Sequence, residues 1–212
     1  MNHISNLSQS TALVAALGAA CLTSLSAQAQ SNTPNAGNLK ITAAVSKATC
    51  AVTINDQNST SNQSAYKALN LGSITANNTS SIAGAVFGSA KSIIFALKDP
   101  NNLANPCSLS GISNWELHTT LKASDYTTIG TKTFLKNQIL SAEGGTDAVV
   151  ELSSGSKPIN LKPEINATST ILFDQPKNTN IGGLAAQFAY AATTGAKAGK
   201  YNFNMPVTII YK

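Results

Sequence analysis

The sequence predicts an all-β sandwich. Short stretches in which every second residue is apolar recur along the chain, and this period of two is typical of strands with one buried face. Gly, Pro and Asn lie between the stretches, and no long stretch has the period of an amphipathic helix. Many short strands separated by turn residues are typical of a β-sandwich.

Several segments before the last strand carry this pattern. In chain order they are NLKITAAV, CAVTI, SIIFAL, WELHTTLK, AVVEL, STILF and LAAQFAY. In the first segment the apolar positions are Leu39, Ile41, Ala43 and Val45. In WELHTTLK, Trp115 begins the apolar face, whereas Glu116 and His118 fall on the polar, solvent-facing side. The polar, low-complexity segment from Thr53 to Ser64 predicts a flexible surface loop after the second segment.

The most regular predicted strand lies at the C-terminus. Its large apolar residues recur at every second position: Tyr201, Phe203, Met205, Val207, Ile209 and Tyr211. Pro206 cannot donate a ladder hydrogen bond, so its nitrogen must face an unpaired side or a bulge. An exposed apolar strand is an aggregation hazard, so another strand must cover it. Either the N-terminal strand covers it within one molecule, or each end pairs with a neighbour's opposite end and forms filaments.

The first residues of the chain predict export. No Asp, Glu, Lys or Arg occurs in the first thirty residues. The small and apolar run from Leu13 to Leu25 is too short to cross a bilayer, and the cleavage pattern Ala27-Gln28-Ala29 follows it. We therefore predict that residues 1–29 are a signal peptide, cleaved after Ala29, although its first segment lacks Lys and Arg.

Removal of this peptide leaves 212 − 29 = 183 residues, enough for one domain with its own core. It also leaves two cysteines, Cys50 and Cys107. An even cysteine count in an exported chain predicts a disulfide, and two buried free thiols are the alternative.

The composition argues against several functional classes. Charged residues make up 11% of the chain, the net charge is +5, and the lysines are scattered, so no basic patch for nucleic acid is predicted. Zinc-ligand spacing, a G-x-S-x-G elbow and a phosphate-binding Gly loop are absent from the sequence. Glu143 and Asp147 flank Gly144-Gly145, where a hairpin loop is expected rather than a catalytic pair across a cleft. We expect no enzymatic activity, cofactor or metal.

Together these features resemble the subunits of chaperone–usher fimbriae, the pilins of type 1-like and related bacterial pili. Pilins typically have a penultimate Tyr and a Gly fourteen residues from the end, and Tyr211 and Gly199 occupy those positions. They also have an alternating extension before the first cysteine, as in ITAAVSKATCAV, and a Leu-Gly-x-Ile/Val element, which residues 71–74 match. AAQFAYAATTGAKAGKY resembles the penultimate strand and the following loop. The resemblance covers essentially the whole mature chain.

The resemblance implies an incomplete immunoglobulin-like sandwich of six strands, whose seventh strand is supplied in trans by a donor strand. Residues 30–46 would be the donor-strand extension, and residues 47–212 the incomplete domain. A periplasmic chaperone would fill the groove beside the last strand until the next subunit's extension replaces it at the outer-membrane usher. The implied donor side chains are Leu39, Ile41, Ala43 and Val45. The implied groove and chaperone contacts are Gly199, Tyr201, Phe203, Met205, Val207, Ile209, Tyr211 and Lys212.

The implied function is that of a structural pilus subunit, which polymerises by donor-strand exchange and supports adhesion or biofilm formation. Its partners would be neighbouring subunits of a homopolymer, the chaperone and the usher, without nucleic acid or cofactor. It would pass through the periplasm to the pilus on the bacterial surface. One departure is Ala43, which stands where pilins usually have Gly. The alternative is a secreted, monomeric carbohydrate-binding sandwich with Trp115 as its sugar platform.

Overall fold

The computed structural model describes residues 37–45, 50–55, 64–74, 82–164, 167–176 and 179–212, all of one compact unit. The predicted signal peptide, its cleavage site after Ala29 and most of the predicted polar loop lie outside these residues. A turn of 3-10 helix covers Ser141–Glu143. The strands are β1 Gly37–Val45, β2 Ala51–Ile54, β3 Ser64–Leu69, β4 Val86–Asp99, β5 Asn102–Pro106, β6 Asn114–Thr119, β7 Tyr126–Ile129, β8 Lys132–Leu135, β9 Val149–Ser154, β10 Lys157–Pro158, β11 Thr170–Pro176, β12 Ile181–Ala189 and β13 Tyr201–Tyr211.

The strands form two sheets packed as a sandwich, which confirms the predicted all-β, immunoglobulin-like class. The first sheet has the order β11-β6-β13-β1-β3. The second has the order β2-β4-β12-β9-β8-β7, with β5 beside β4 and β10 beside β9. The described residues form thirteen strands rather than the six expected, because short strands such as β5, β7, β8 and β10 add hairpins to the second sheet.

The core lies between the sheets and follows the predicted alternation. On β4 the buried residues include Ile93, Phe95 and Leu97, and on β12 they are Gly182, Leu184, Ala186, Phe188 and Ala189. On β6 the inward residues Trp115, Leu117 and Thr119 are buried. A period of two with one buried face is therefore the common rule of the central strands in both sheets.

Trp115 belongs to this core and is 0% exposed. Its ring meets Phe173 edge-on with the ring centroids 5.3 Å apart, and its indole N–H donates to the carbonyl oxygen of Thr179 at 2.5 Å. A sugar platform requires an exposed ring face. Trp115 therefore cannot be the platform that the carbohydrate-binding alternative assigned to it.

The predicted disulfide is confirmed. Cys50 and Cys107 are bonded, with their Cα atoms 5.6 Å apart and a sequence separation of 57. The bond ties the start of β2 to the segment that follows β5, and both strands pair with β4. It fixes one corner of the second sheet, and it is compatible with an exported protein.

Candidate functional site

The first described strand lies in the middle of a sheet. β1 pairs on one side with β13 and on the other with β3. The pairing with β13 is parallel and runs without a register shift from Gly37 opposite Tyr201 to Val45 opposite Ile209. The pairing with β3 is antiparallel. Of the two arrangements left open by the sequence, the single chain therefore adopts the one in which its own two ends pair.

The residues predicted as donor side chains face the core. Leu39 and Ile41 are 0% exposed and Ala43 is 2% exposed, whereas Lys40 and Ala44, at alternate positions, are exposed. Val45 is in register with Ile209, but its side chain lies outside the described part. β1 thus contributes one continuous apolar face to the sandwich.

The residues predicted for the groove lie beside this face. Leu39, Ile41 and Ala43 stand opposite Phe203, Met205 and Val207, one to one. Along β13 the buried residues are Tyr201, Phe203, Met205, Val207 and Ile209, while Tyr211 is only partly buried. Without β1, a slot would open between β13 and β3, with two unpaired backbone edges and the core beneath it exposed to water.

Two glycines allow the backbone to pack closely at the start of β13. A Cβ on Gly37 would overlap with the carbonyl oxygen of Tyr201. A Cβ on Gly199 would lie 2.6 Å from the backbone nitrogen of Thr146 and 2.8 Å from the carbonyl oxygen of Gly144. The N–H of Lys200 donates to that same oxygen at 2.9 Å. Gly199 is thus needed because the segment before β13 lies directly against the 144–146 backbone.

The hydroxyl of Tyr201 joins two parts of the sequence motif. It accepts a hydrogen bond from the backbone N–H of Leu71 at 3.0 Å, and it lies 2.8 Å from the carbonyl oxygen of Gly72. Leu71 and Ile74 of the Leu-Gly element are themselves buried. Burial raises the pKa of the Tyr201 phenol above 10.0, despite the backbone hydrogen bonds that lower it. The phenol therefore stays protonated and anchors the Leu-Gly segment to β13.

We expect the substitution Tyr201→Phe to lower the free energy of unfolding by about 1–3 kcal/mol, because the buried N–H of Leu71 loses its acceptor. Urea unfolding would measure this loss. The matched control is Tyr126→Phe, since no hydrogen bond joins the Tyr126 hydroxyl to another described residue. Equal stability of the two variants would contradict the anchoring role.

The end of β13 is held by β6 and the residues before it. The N–H of Lys212 donates to the carbonyl oxygen of Asn114 at 2.9 Å, and the N–H of Ser113 donates to the carbonyl oxygen of Lys212 at 2.7 Å. The Lys212 ammonium lies 2.5 Å from Oε1 of Glu116. Lys212 is therefore bound by its own chain, and the predicted contact of its carboxylate with a chaperone stays a prediction.

The Glu116 carboxylate also binds His118. The sequence predicted that His118 faces solvent, and this prediction is wrong because other residues cover its side chain. Oε2 of Glu116 lies 2.6 Å from Nε2 of His118, and Nδ1 of His118 lies 2.9 Å from Oγ of Ser169. The side chains of His118 and Glu116 are 12% and 6% exposed. The sequence placed Glu116 and His118 on one polar face, but nothing in it indicated that Ser169 and Lys212 would cover them.

This network fixes the ionisation of Glu116. Burial alone would raise the pKa of the Glu116 carboxyl, but the hydrogen bonds and charges of Lys212 and His118 outweigh burial and lower the pKa below 4.5. A carboxyl whose folded pKa lies below its unfolded value stabilises the fold above the unfolded pKa. That contribution is lost as pH falls through the folded pKa.

The substitution Glu116→Gln should therefore lower the free energy of unfolding at neutral pH by about 1.5–3 kcal/mol, the range for hydrogen bonds to charged groups. At acid pH, once the pH has fallen through this lowered pKa and the wild-type carboxyl is protonated, the difference between the proteins should shrink. Urea titrations at both pH values provide the measurement. If the loss in the free energy of unfolding did not change with pH, Glu116 would act only through packing.

Pro206 behaves as expected for a strand proline. Its carbonyl oxygen accepts a hydrogen bond from the Thr119 hydroxyl at 2.6 Å. The nitrogen and carbonyl of a strand residue point to the same side, so the Pro206 nitrogen also faces β6. The ladder between β13 and β6 begins only at Val207, opposite Thr119, so the missing donor breaks no bond of that ladder.

The two remaining candidate catalytic carboxylates, Glu143 and Asp147, lie in structural positions. Glu143 is exposed at the end of the 3-10 helix, and the Asp147 carboxylate accepts a hydrogen bond from the N–H of Lys197 at 2.7 Å. Within the described residues, no group of three or more His, Cys, Asp and Glu side chains is placed to hold a metal. The same part of the chain contains no helix with the length and apolar character needed to cross a bilayer.

The slot filled by β1 is thus the candidate functional site. It unites the predicted donor residues, the predicted groove residues and the Leu-Gly segment in one region of the first sheet. No protein-family model matches the sequence, and no curated protein matches it significantly.

Proposed function

We propose that this protein is a structural subunit of a surface filament of the chaperone–usher type, in which subunits join by exchange of β1. In this proposal, β1 of one subunit leaves its own slot and fills the slot between β13 and β3 of the next. The product is a head-to-tail chain, because each subunit offers one strand and one slot.

The observation that carries this proposal is the position of β1 in the centre of the sheet. A strand in the centre of a sheet is normally joined to other parts of the fold at both of its ends, so it cannot be exchanged between molecules. Here one partner of β1, β13, is distant in sequence, and only residues 46–49 join β1 to Cys50. With the leader cleaved after Ala29, β1 would be tethered at one end only, so it could be exchanged without threading.

The slot offers enough interaction energy for a durable joint. Leu39 and Ile41 are fully buried, and each such side chain contributes about 1.5–3 kcal/mol. Backbone hydrogen bonds to β13 and β3 add about 0.5–1.5 kcal/mol each. No nucleotide or cofactor is required, because exchange replaces one strand by another in the same kind of site.

The self-paired chain also suggests why assembly would need helpers. An isolated subunit whose own β1 fills the slot has no open acceptor for a neighbour. A periplasmic chaperone that covers the Tyr201–Tyr211 strand would keep the slot available, and an outer-membrane usher would be the place of exchange. The small side chain of Ala43 lies in the C-terminal half of β1, where an incoming strand would meet the least steric resistance.

The test is a mixing experiment with chains of two masses. One is an isotope-labelled chain that lacks residues 30–46 and can accept a strand but not donate one. The other is the full mature chain. After joint refolding, we expect oligomers that resist SDS, each with at most one labelled chain, because a chain without β1 can occupy only one end of a filament.

A full chain with Leu39→Asp and Ile41→Asp is the control, and it should not join the labelled chain. Two or more labelled chains in one oligomer would contradict head-to-tail exchange. A labelled chain that folds into a stable monomer without β1 from any chain would overturn the proposal and favour the monomeric carbohydrate-binding alternative.

A further inference from the structure

A cleft of about 700 Å³ opens beside the edge strand β11, separated from β1 in the sheet order by β6 and β13. Its walls come from β11, the β9–β10 hairpin and residues 159–164. Sites for small molecules typically have volumes of about 300–1,000 Å³. The cleft is therefore large enough for one or two sugar rings, and nothing in the proposed filament function uses it.

Ser169 presents a hydrogen-bond acceptor in this cleft. The ionised Glu116 carboxylate can only accept, so the Nε2–H of His118 donates their 2.6 Å hydrogen bond. Nδ1 of His118 is hydrogen-bonded to the Ser169 hydroxyl, with the two atoms 2.9 Å apart. Whether that hydroxyl donates to Nδ1 or accepts from it, the Ser169 oxygen keeps at least one lone pair for a ligand. A hydroxyl group of a ligand can donate to this lone pair.

The charged side chains that line the cleft favour an anion elsewhere on the same ligand. Lys157, Lys162 and Glu164 line it, so two positive charges face one negative charge. None of the three forms an ion pair with another residue of the described chain. The oxygen of the Asn160 amide accepts the N–H of Lys162 at 3.1 Å, which leaves its NH₂ group as a further donor.

Apolar surface completes the lining. Ile171 is 51% exposed, and Pro158, which also lines the cleft, is exposed. The C–H groups of a sugar ring can pack on such surface while its hydroxyls bind polar groups. A lining of lysines, a preset acceptor and small apolar patches matches a ligand with both hydroxyls and a negative charge.

We propose that this cleft binds a sugar that carries a carboxylate, of the uronic acid class. The carboxylate faces Lys157 and Lys162, and a ring hydroxyl donates to Ser169. Glu116 and His118 act as positioning residues, because their hydrogen bonds hold the Ser169 hydroxyl in place. The inference rests on the cleft and does not depend on strand exchange.

The experiment is an NMR titration of the full mature chain with glucuronate, glucose and acetate at equal concentrations. We expect glucuronate to shift the signals of cleft residues at millimolar concentrations and to bind roughly tenfold more tightly than glucose or acetate. The double substitution Lys157→Gln and Lys162→Gln should lower the affinity for glucuronate by a similar factor. Ser169→Ala should also lower this affinity.

The matched control is Lys122→Gln with Lys136→Gln, which removes the same charge from exposed sites outside the cleft. It should leave the affinity unchanged. Absence of glucuronate shifts at the cleft, equal loss of affinity in the control, or acetate binding as tight as glucuronate would each overturn the proposal. Unchanged affinity in Ser169→Ala would overturn the hydroxyl contact.

Discussion

Shortening Ile41 to Ala is expected to lower the free energy of unfolding by about 2–5 kcal/mol, the range for large-to-small changes in a well-packed core. Ile41 is fully buried at the middle of β1 and pairs with Met205 on β13 and Lys67 on β3. Loss of its side chain removes apolar contact from the centre of the slot. Urea unfolding of the mature chain would measure the effect.

The control for this prediction is Asn38→Ala, an exposed position of the same strand. It keeps the backbone ladder and removes no core contact, so it should change stability by less than about 0.5 kcal/mol. If Ile41→Ala changed the free energy of unfolding as little as Asn38→Ala, β1 would be a loosely held strand whose side chains do not support the sandwich.

Replacing both bonded cysteines, Cys50→Ala with Cys107→Ala, should cost about 4 kcal/mol on the chain-entropy model for a loop of this length. The bond closes a sequence separation of 57 residues, so its loss releases much conformational freedom in the unfolded chain. Thermal or urea unfolding of the double variant would measure the cost.

Cys50→Ala alone provides the comparison, because it breaks the same bond and leaves one thiol. Both variants should show nearly the same loss, and treatment of the wild type with a reductant should reproduce it. A loss below about 1 kcal/mol would mean that the disulfide adds little to a core that already holds the corner of the second sheet.

The faces of the terminal strands can be predicted from the sequence because each has one side in the core and one in water. On β13, Tyr201, Phe203 and Met205 are buried while Asn202 and Asn204 are exposed, as the period of two requires. The disulfide can be predicted in the same way, since only two cysteines remain after the expected cleavage.

Strand neighbours cannot be predicted from this pattern. Alternation fixes the face that a strand buries, but not its partner or direction. The parallel pairing of Gly37 with Tyr201 joins residues 201 − 37 = 164 positions apart. The short hairpins of the second sheet were not predicted for a different reason. Strands of two to five residues have too few positions to show a period.

The polar network around Glu116 shows the same limit. Its members come from three separate segments: Lys212 is 96 residues from Glu116, and Ser169 is 51 residues from His118. A lone histidine on the polar face of a strand predicts only exposure. Its burial depends on which segments the fold brings over that face, and this is a property of the tertiary structure.

The central claim is that the slot between β13 and β3 accepts β1 as a separable strand. The most direct measurement is the melting temperature of a chain lacking residues 30–46, with and without a peptide of residues 37–47. The truncated chain should melt far below the mature chain. The peptide should restore stability in a concentration-dependent manner, because it binds only the folded state. A peptide with Ile41→Asp should not. A truncated chain as stable as the mature one, and indifferent to the peptide, would contradict the claim.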